Sequence, residues 1–220
     1  MNDLDNILRQ LSIWALPVLF AITVHEVAHG WMAWKRGDPT AMLMGRLTLN
    51  PLKHIDPFGT VLLPAMLLLF HSPFLFGYAK PVPVNFAGLR DPKRDMVLVA
   101  IAGPAANLLM ALFWTGILWL GVHLAATTPY FAEPMQLMGQ AGILINGVLF
   151  LFNLIPIPPL DGGRVAVGLL PPQASQALSR VEPYGFIILI VLLFTGVLWT
   201  LLGPAFEWFQ GFFFRLGGLA

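Results

Sequence analysis

The chain has 220 residues, of which 57% are hydrophobic and only 10% are charged, whereas a soluble domain carries roughly 25% charged residues. This composition argues against a soluble protein and indicates an integral membrane protein, whose spans of about 20 residues each use most of the length. The net charge of +1 gives no indication of nucleic-acid binding, and the absence of cysteine excludes disulfides and thiolate metal sites.

The N-terminal segment leads into the first predicted span. Residues 1–10 lack the basic stretch and the small-residue cleavage site of a signal peptide, so we expect the following span to be retained. That span covers residues 11–34 and contains Pro17 as a potential kink. Charge, glycine and proline together end it at residues 35–39.

His25, Glu26 and His29 form an H-E-x-x-H motif inside this span. Residues i and i+4 share a helix face, so the two imidazoles can bind one metal ion while Glu26 serves as a general base. Zinc suits two imidazoles and one carboxylate, with a fourth position left open. Ionisable residues inside a span are costly and indicate function; a chance motif with two satisfied core histidines is the alternative. At ~1.5 Å per residue, His25 lies about 14 Å from the charged end, inside the bilayer but nearer one surface.

A polar, interrupted stretch follows at residues 40–57. Residues 46–49 alternate like a short β-strand, whose edge could pair with an extended peptide; a plain connecting loop is the alternative. His54 and Asp56 are conceivable metal ligands, but for His54 a surface position in a loop is the simpler interpretation.

Residues 58–77 are apolar again but contain Pro64 and Pro73. Two prolines fit either a kinked span or a re-entrant hairpin. A basic, polar loop then occupies residues 78–95.

Two strong spans are predicted at residues 96–122 and 137–157. The first has a face of small residues, where helices can approach closely, and the polar Asn107. The second ends in a run with three prolines in four positions, which stops the helix and leaves irregular backbone at membrane depth. Such backbone is tolerated only when it is buried in protein or lines a wet cavity. Asp161 follows directly.

The rest of the chain predicts a polar linker at 165–183, a charge-free span at 184–203 and an aromatic interfacial helix at 206–216. The fold class is therefore an all-α polytopic membrane protein with four to six transmembrane helices. A re-entrant or short β element is expected between its first and second core helices. We expect one domain over residues 1–220, with its core at 11–170.

Two histidines leave zinc short of one protein ligand, and Asp161 is the best candidate for it. It lies at the broken end of an apolar helix, beside glycines that allow close backbone approach. The competing carboxylates lie in basic loops, where a solvated role costs little: Asp38, Asp56, Asp91 and Asp95.

Two motifs together resemble the site-2 protease family of intramembrane zinc metalloproteases. That family joins an H-E-x-x-H-G helix, here residues 25–30, to a later helix ending in N-x-x-P-x-P-x-x-D-G, here residues 153–162. The glycine-proline-asparagine element at residues 102–107 also resembles the family's middle core helix. The resemblance covers roughly residues 11–170. No stretch is long and polar enough for the PDZ or CBS domains of other members, so we expect a minimal form.

The resemblance also implies roles for individual residues. His25, His29 and Asp161 match the family's ligands for one Zn²⁺ per chain. Glu26 matches the catalytic glutamate. Asn153 matches a residue that positions substrate near the metal; an amide packed between helices is the alternative.

The function implied is that of an intramembrane zinc endopeptidase, which cleaves within or near transmembrane segments of membrane-anchored proteins in regulated intramembrane proteolysis. Its partners would be a transmembrane protein substrate and the lipid bilayer, without nucleic acid. A non-catalytic membrane metal-binding protein or a metal-ion carrier is the alternative. Glu26 favours the protease, because a structural site needs no general base and closed zinc sites have four protein ligands.

Charge counting predicts the orientation in the membrane. Ten of the twelve basic residues lie within residues 35–53, 80–94 and 164–180, and residues 123–136 have none. Cytoplasmic loops carry the excess of Lys and Arg, so we expect these three segments on the cytoplasmic side of a bacterial plasma membrane and the N-terminus and residues 123–136 outside. The zinc motifs then lie nearer the cytoplasmic face. Residues 58–77 must then enter and return on the cytoplasmic side; a full crossing is the alternative.

Overall fold

The computed structural model describes residues 3–62, 66, 69 and 80–219 of the chain. Within that part the regular structure is helical. The α-helices are, in chain order, α1 (Asp3–Arg36), α2 (Thr40–Leu43), α3 (Pro92–Leu124), α4 (Pro129–Asn153), α5 (Asp161–Leu169), α6 (Pro172–Ser179), α7 (Glu182–Phe194) and α8 (Val197–Leu216).

Three of the described helices, α1, α3 and α4, are long and apolar enough to cross a membrane. A fourth span exists if α6 and α7, which are bent by 65° at their junction, form one broken span. The prediction of an all-helical membrane protein is therefore confirmed in its class. Against the four to six spans predicted, the described residues contain three or four by length and composition. Pro17 and Pro104 lie inside α1 and α3 without ending either helix.

The predicted strand at residues 46–49 is wrong, because no strand occurs among the residues that the structure describes. Polar groups in this stretch bond locally instead of along a ladder. The Arg46 N–H donates to the Ala41 carbonyl, and the Thr48 carbonyl accepts from His54 Nε2. Of the proposed re-entrant element, Pro57–Leu62 forms a short helical turn, and most of residues 63–77 lie outside the described residues.

Helix α3 is the centre of the bundle, where it packs against α1, α4, α5 and α8. Glycines on α4 make the closest approach possible. A Cβ at Gly142 would lie 2.1 Å from Cγ of Trp114, and one at Gly139 would lie 2.7 Å from Cβ of Leu118. Only a residue without a side chain fits at such distances, as the pattern of small residues predicts.

The C-terminal third differs from the sequence-based boundaries. The expected linker at 165–183 is largely helical, since it holds most of α5 and all of α6. The expected span at 184–203 is divided at Gly196, whose φ of +75° ends one helix before α8 begins. Helix α8 does not simply lie on a surface: Phe209 and Phe213 are only 3% and 4% exposed, in a core cluster with Trp114 of α3.

One end of the bundle is marked by an ion pair between α1 and α4. Arg9 Nη2 lies 2.6 Å from Glu133 Oε1, with both side chains exposed. The N-terminus of α1 and the connector between α3 and α4 therefore share one end, whereas His25, His29 and Asp161 lie away from it. This agrees with the sequence-based placement of the N-terminus and residues 123–136 on the same side.

We expect Gly142→Ala to lower the free energy of unfolding by about 1–3 kcal/mol, because the new methyl group overpacks the Trp114 indole. Gly116→Ala on α3 is the matched control, since its Cβ would meet nothing within 4 Å. Reversible unfolding in detergent micelles measures both. Equal stability of the two variants would contradict the close packing of α4 on α3.

Candidate metal centre

Three side chains from two helices converge at one point. His25 and His29 lie one turn apart on α1, and Asp161 is the first residue of α5. The two Nε2 atoms are 3.0 Å apart, and Asp161 Oδ2 lies 3.3 Å and 3.2 Å from them. Ligands bound tetrahedrally to zinc at ~2.0–2.2 Å are separated by about 3.3 Å. The three atoms thus have the spacing of one face of a zinc tetrahedron, and they form a group that could hold a metal ion.

The outer nitrogens of both histidines face oxygen acceptors. His25 Nδ1 lies 2.6 Å from Asn107 Oδ1, and His29 Nδ1 lies 2.7 Å from the Val99 carbonyl oxygen. An amide or carbonyl oxygen can only accept, so each Nδ1 carries the proton and donates. Each Nε2 is therefore left with a lone pair that points to the centre.

Asp161 Oδ2 completes this picture. It is buried and has no hydrogen-bond partner among the described residues. Two imidazole lone pairs and a carboxylate oxygen within 3.3 Å repel one another unless a cation lies between them. The donor set of two neutral nitrogens and one carboxylate fits zinc, with one coordination position left for another ligand.

Asp161 reaches this position through a tight turn that needs glycine. Helix α4 ends at Asn153, and the proline-rich segment turns the chain back before α5 begins. A Cβ at Gly162 would lie 2.3 Å from the Leu154 carbonyl oxygen, and one at Gly163 would lie 2.2 Å from the Pro158 nitrogen. Neither position accepts a side chain, so the two glycines allow the first turn of α5 to pack on the segment before it.

Helix α3 supplies the back wall of the centre through residues spaced by four. The Val99 carbonyl and the Asn107 amide hold the two histidines, and Gly103 lies between them on the same face. A Cβ at Gly103 would lie 2.3 Å from His29 Nε2 and 2.6 Å from His25 Cε1. The space beside the ligand atoms thus exists because this residue has no side chain. The sequence showed a small face and a buried amide here, but not that both face the histidines.

Glu26 lies beside the centre on α1 and is half-buried. Its Oε2 accepts a 2.7 Å hydrogen bond from the Val82 N–H, within a segment without regular structure at residues 80–85. Together with Asn153 and Arg164, these groups line a cavity of about 180 Å³ that reaches His25, His29 and Asp161. A water molecule takes about 30 Å³ in the liquid, so this volume admits several waters but no folded segment of another protein.

Residues 80–85 are held over the cavity from both ends. Arg46, which is only 6% exposed, donates from Nη2 to the Lys80 carbonyl at 2.9 Å. The Lys80 N–H donates to the His54 carbonyl, and the Asn85 N–H donates to Asp38. These hydrogen bonds hold the segment over the cavity, and we call residues 80–85 the 80–85 strap.

Several sequence-based interpretations of loop residues are corrected here. His54 is buried, and its Nε2 donates to the Thr48 carbonyl, so it is not a surface residue. Asp38 and Asp95 are 1% and 4% exposed and accept backbone N–H groups, so they are not solvated. Asp56 accepts the N–H groups of the turn that follows it. The ligand group found in the described part of the chain contains none of these four residues.

Asn153 lies where the last turn of α4 meets the cavity. Its Nδ2 donates to the Leu149 carbonyl at 3.0 Å, a bond within its own helix. The donor is thus directed back along α4, which leaves the amide oxygen as the group with capacity for a partner in the cavity.

We expect Gly103→Ala to lose most of its zinc, because the methyl group would meet both histidine rings. Gly116→Ala, on the same helix but beside open space, should retain its zinc. Elemental analysis of the purified proteins gives zinc per chain. Unchanged zinc in Gly103→Ala would show that the centre does not depend on this close approach.

Comparison with known proteins places this site in context. Residues 122–196, which contain Asn153 and Asp161, match the model of peptidase family M50. Two relatives are YwhC of Bacillus subtilis and Rip2 of Mycolicibacterium smegmatis, and each is named "Putative zinc metalloprotease". YwhC is 41% identical over 85% of this chain and 84% of its own length. Rip2 is 31% identical over 88% of this chain and 71% of its own length. No solved structure matches the chain.

Proposed function

Because this chain belongs to peptidase family M50, the site-2 protease family, we propose that it is an intramembrane zinc endopeptidase acting on membrane-anchored proteins. Family membership makes it a membrane metalloprotease; the location of the cut within or near a transmembrane segment is the proposal. The observation that carries it is the convergence of two ligand atoms from the apolar helix α1 and one from α5, beside Glu26. A peptidase whose general base lies inside a membrane span can reach a peptide bond at the same depth in the membrane.

The proposed division of roles follows from the geometry. His25, His29 and Asp161 would hold one Zn²⁺ per chain through Nε2, Nε2 and Oδ2. When bound, zinc supplies Lewis-acid catalysis for attack of water on a peptide carbonyl. Glu26 accepts the proton of the attacking water and later returns it to the leaving amine.

Asn153 is proposed to hold substrate rather than to stabilise charge. Its Nδ2 already donates to Leu149, so the free amide oxygen suits a backbone N–H of an unwound substrate better than an oxyanion. A transmembrane substrate hides its carbonyls in helical hydrogen bonds and must unwind locally before attack. An unwound segment has exposed N–H groups that require acceptors inside the bilayer.

The 80–85 strap sets a condition on substrate entry. A cavity of about 180 Å³ holds water but not an extended peptide of several residues. Entry therefore requires the strap to move away from Glu26, with loss of the Val82 hydrogen bond. The proposed partners remain a transmembrane protein substrate and the bilayer, without nucleic acid.

A non-catalytic metal-binding protein or a metal-ion carrier is the second candidate. Closed structural zinc sites have four protein ligands, and the described residues supply three here. Glu26 lines the same cavity as the three ligand residues, which a purely structural site would not require. Both features favour the peptidase.

Glu26→Gln is the direct test of the proposed chemistry. The amide cannot accept a proton from water, so we expect cleavage to fall by at least about 10²-fold while zinc stays bound. The assay uses the full chain in proteoliposomes with a single-span substrate, and zinc is measured on the same preparation. His25→Ala is the paired control, which should lose both zinc and activity. Undiminished cleavage by Glu26→Gln would refute the mechanism.

Orientation in the membrane is proposed from charge alone, with the zinc centre nearer the cytoplasmic face of a bacterial plasma membrane. The chain has no cysteine, so single cysteines can report sidedness without background. Ala87→Cys, beyond the strap, should resist an impermeant thiol reagent in intact cells and react after permeabilisation. Ala126→Cys, in the α3–α4 connector, should react in intact cells. Both positions are exposed in the structure. Labelling of Ala87→Cys from outside would overturn the orientation and the re-entrant path of residues 58–77.

A further inference from the structure

A chain of hydrogen bonds runs from His25 through α3 into α4. His25 Nδ1 donates to Asn107 Oδ1 at 2.6 Å, and Asn107 Nδ2 donates to Asn146 Oδ1 at 2.9 Å. Asn146 Nδ2 then donates to the Gly142 carbonyl of its own helix at 2.8 Å. Both asparagines are 0% exposed. Polar side chains at this depth must be satisfied within the protein.

The direction of this chain is fixed at its far end. The Gly142 carbonyl can only accept, so the amino group of Asn146 must face it and the Asn146 oxygen must face Asn107. Asn107 then presents its amino group to two acceptors, Asn146 Oδ1 and the Ala21 carbonyl at 3.3 Å. Its oxygen is thereby turned towards His25.

A reversed Asn107 amide would break the whole arrangement. Its amino group would face His25 Nδ1, and its oxygen would face the Asn146 oxygen and the Ala21 carbonyl. Two pairs of acceptors would then lie at hydrogen-bond distance without a proton between them, which is costly at fully buried positions. The histidine would also have to accept at Nδ1, and its proton would move to Nε2.

We propose that Asn146 is a positioning residue for the metal centre: it orients the Asn107 amide, which holds His25 with its proton on Nδ1 and its Nε2 lone pair towards the metal position. This rests on the proposed function, since the lone pair matters only if the centre binds zinc. Asn146 is not among the residues that line the cavity, and its hydrogen bond towards the centre goes to Asn107.

His29 provides an internal contrast. Its Nδ1 donates to the backbone carbonyl of Val99, which is fixed by α3 and cannot reverse. A side-chain amide can rotate by half a turn, so only the His25 partner needs a second residue to fix it. Loss of Asn146 should therefore affect His25 and leave His29 unchanged.

The main test is zinc affinity, measured by competition with a chromophoric chelator on the full chain in detergent. Asn146→Leu removes the acceptor and should weaken zinc binding about tenfold, at the lower end of the range for partners of metal ligands. Asn146→Asp should restore near-native affinity, because a buried neutral carboxylic acid can accept from Asn107 and donate to Gly142. Thr115→Val is the matched control, since it removes a buried α3 hydroxyl that donates to Ala111 and does not join this chain.

The tautomer of His25 gives a second measurement that needs neither activity nor zinc. In ¹⁵N-histidine spectra of the metal-stripped native protein, we expect a proton on Nδ1 of His25, and in Asn146→Leu partial loss of that proton, with His29 unchanged in both. Native affinity in Asn146→Leu, or a native His25 whose Nδ1 carries no proton, would overturn the proposal. The spectrum of the native protein tests the proposal even if Asn146→Leu does not fold.

Failure of the proposed function is distinguishable from failure of this inference. If the native chain binds no zinc, the proposed function fails, whereas the tautomer still tests the hydrogen-bond chain. If the native chain binds zinc and Asn146→Leu binds it equally well, only the inference fails.

Discussion

A bilayer offers no water to satisfy a polar atom, and the metal centre depends on that constraint. Asp161 Oδ2 is a buried polar atom without a hydrogen-bond partner among the described residues, and it faces the two Nε2 lone pairs. Leaving three such atoms together would be unfavourable without a cation. The same constraint accounts for the place of α3 beside the centre. At successive turns one face of α3 presents the Val99 carbonyl, the space beside Gly103 and the Asn107 amide.

The sequence predicted the parts of this site that follow from local geometry. The histidine pair needs only the helical repeat, and Asp161 could be selected because few carboxylates lie at an apolar helix end. The contributions of Gly103 and Asn107 depend on which face of α3 turns towards α1, and that choice is made by tertiary packing. The Val82 hydrogen bond to Glu26 joins residues 56 apart in the chain, so no local pattern indicates it.

Two segments illustrate what a local sequence pattern does not determine. Alternation at residues 46–49 is typical of a strand, but a strand needs a partner, and here a helical turn and a histidine satisfy the backbone instead. Aromatic residues at 206–216 predict an interfacial helix by composition, and the structure adds that Phe209 packs against Gly147 of α4, where a Cβ would lie 2.8 Å from its ring. The first segment is determined by neighbouring loop residues and the second contacts a distant helix, and the alternating or aromatic pattern alone specifies neither arrangement.

The C-terminal helices have a place in the same argument, although they carry no ligand. Asp161 depends on the turn that precedes it, and that turn is backed by α7. A Cβ at Gly185 would lie 1.7 Å from the Pro158 carbonyl oxygen, so α7 packs directly on the backbone that leads to Asp161. Arg164, one turn further along α5, lies over the Phe86 ring and 3.8 Å from Glu182 at the start of α7. The third ligand is thus held by packing from the helix behind it, whereas the first two are held by hydrogen bonds from α3. A zinc centre inside this bundle needs both, because α1 alone fixes only two ligands, and a third on a proline-rich turn stays in place only if another element supports that turn.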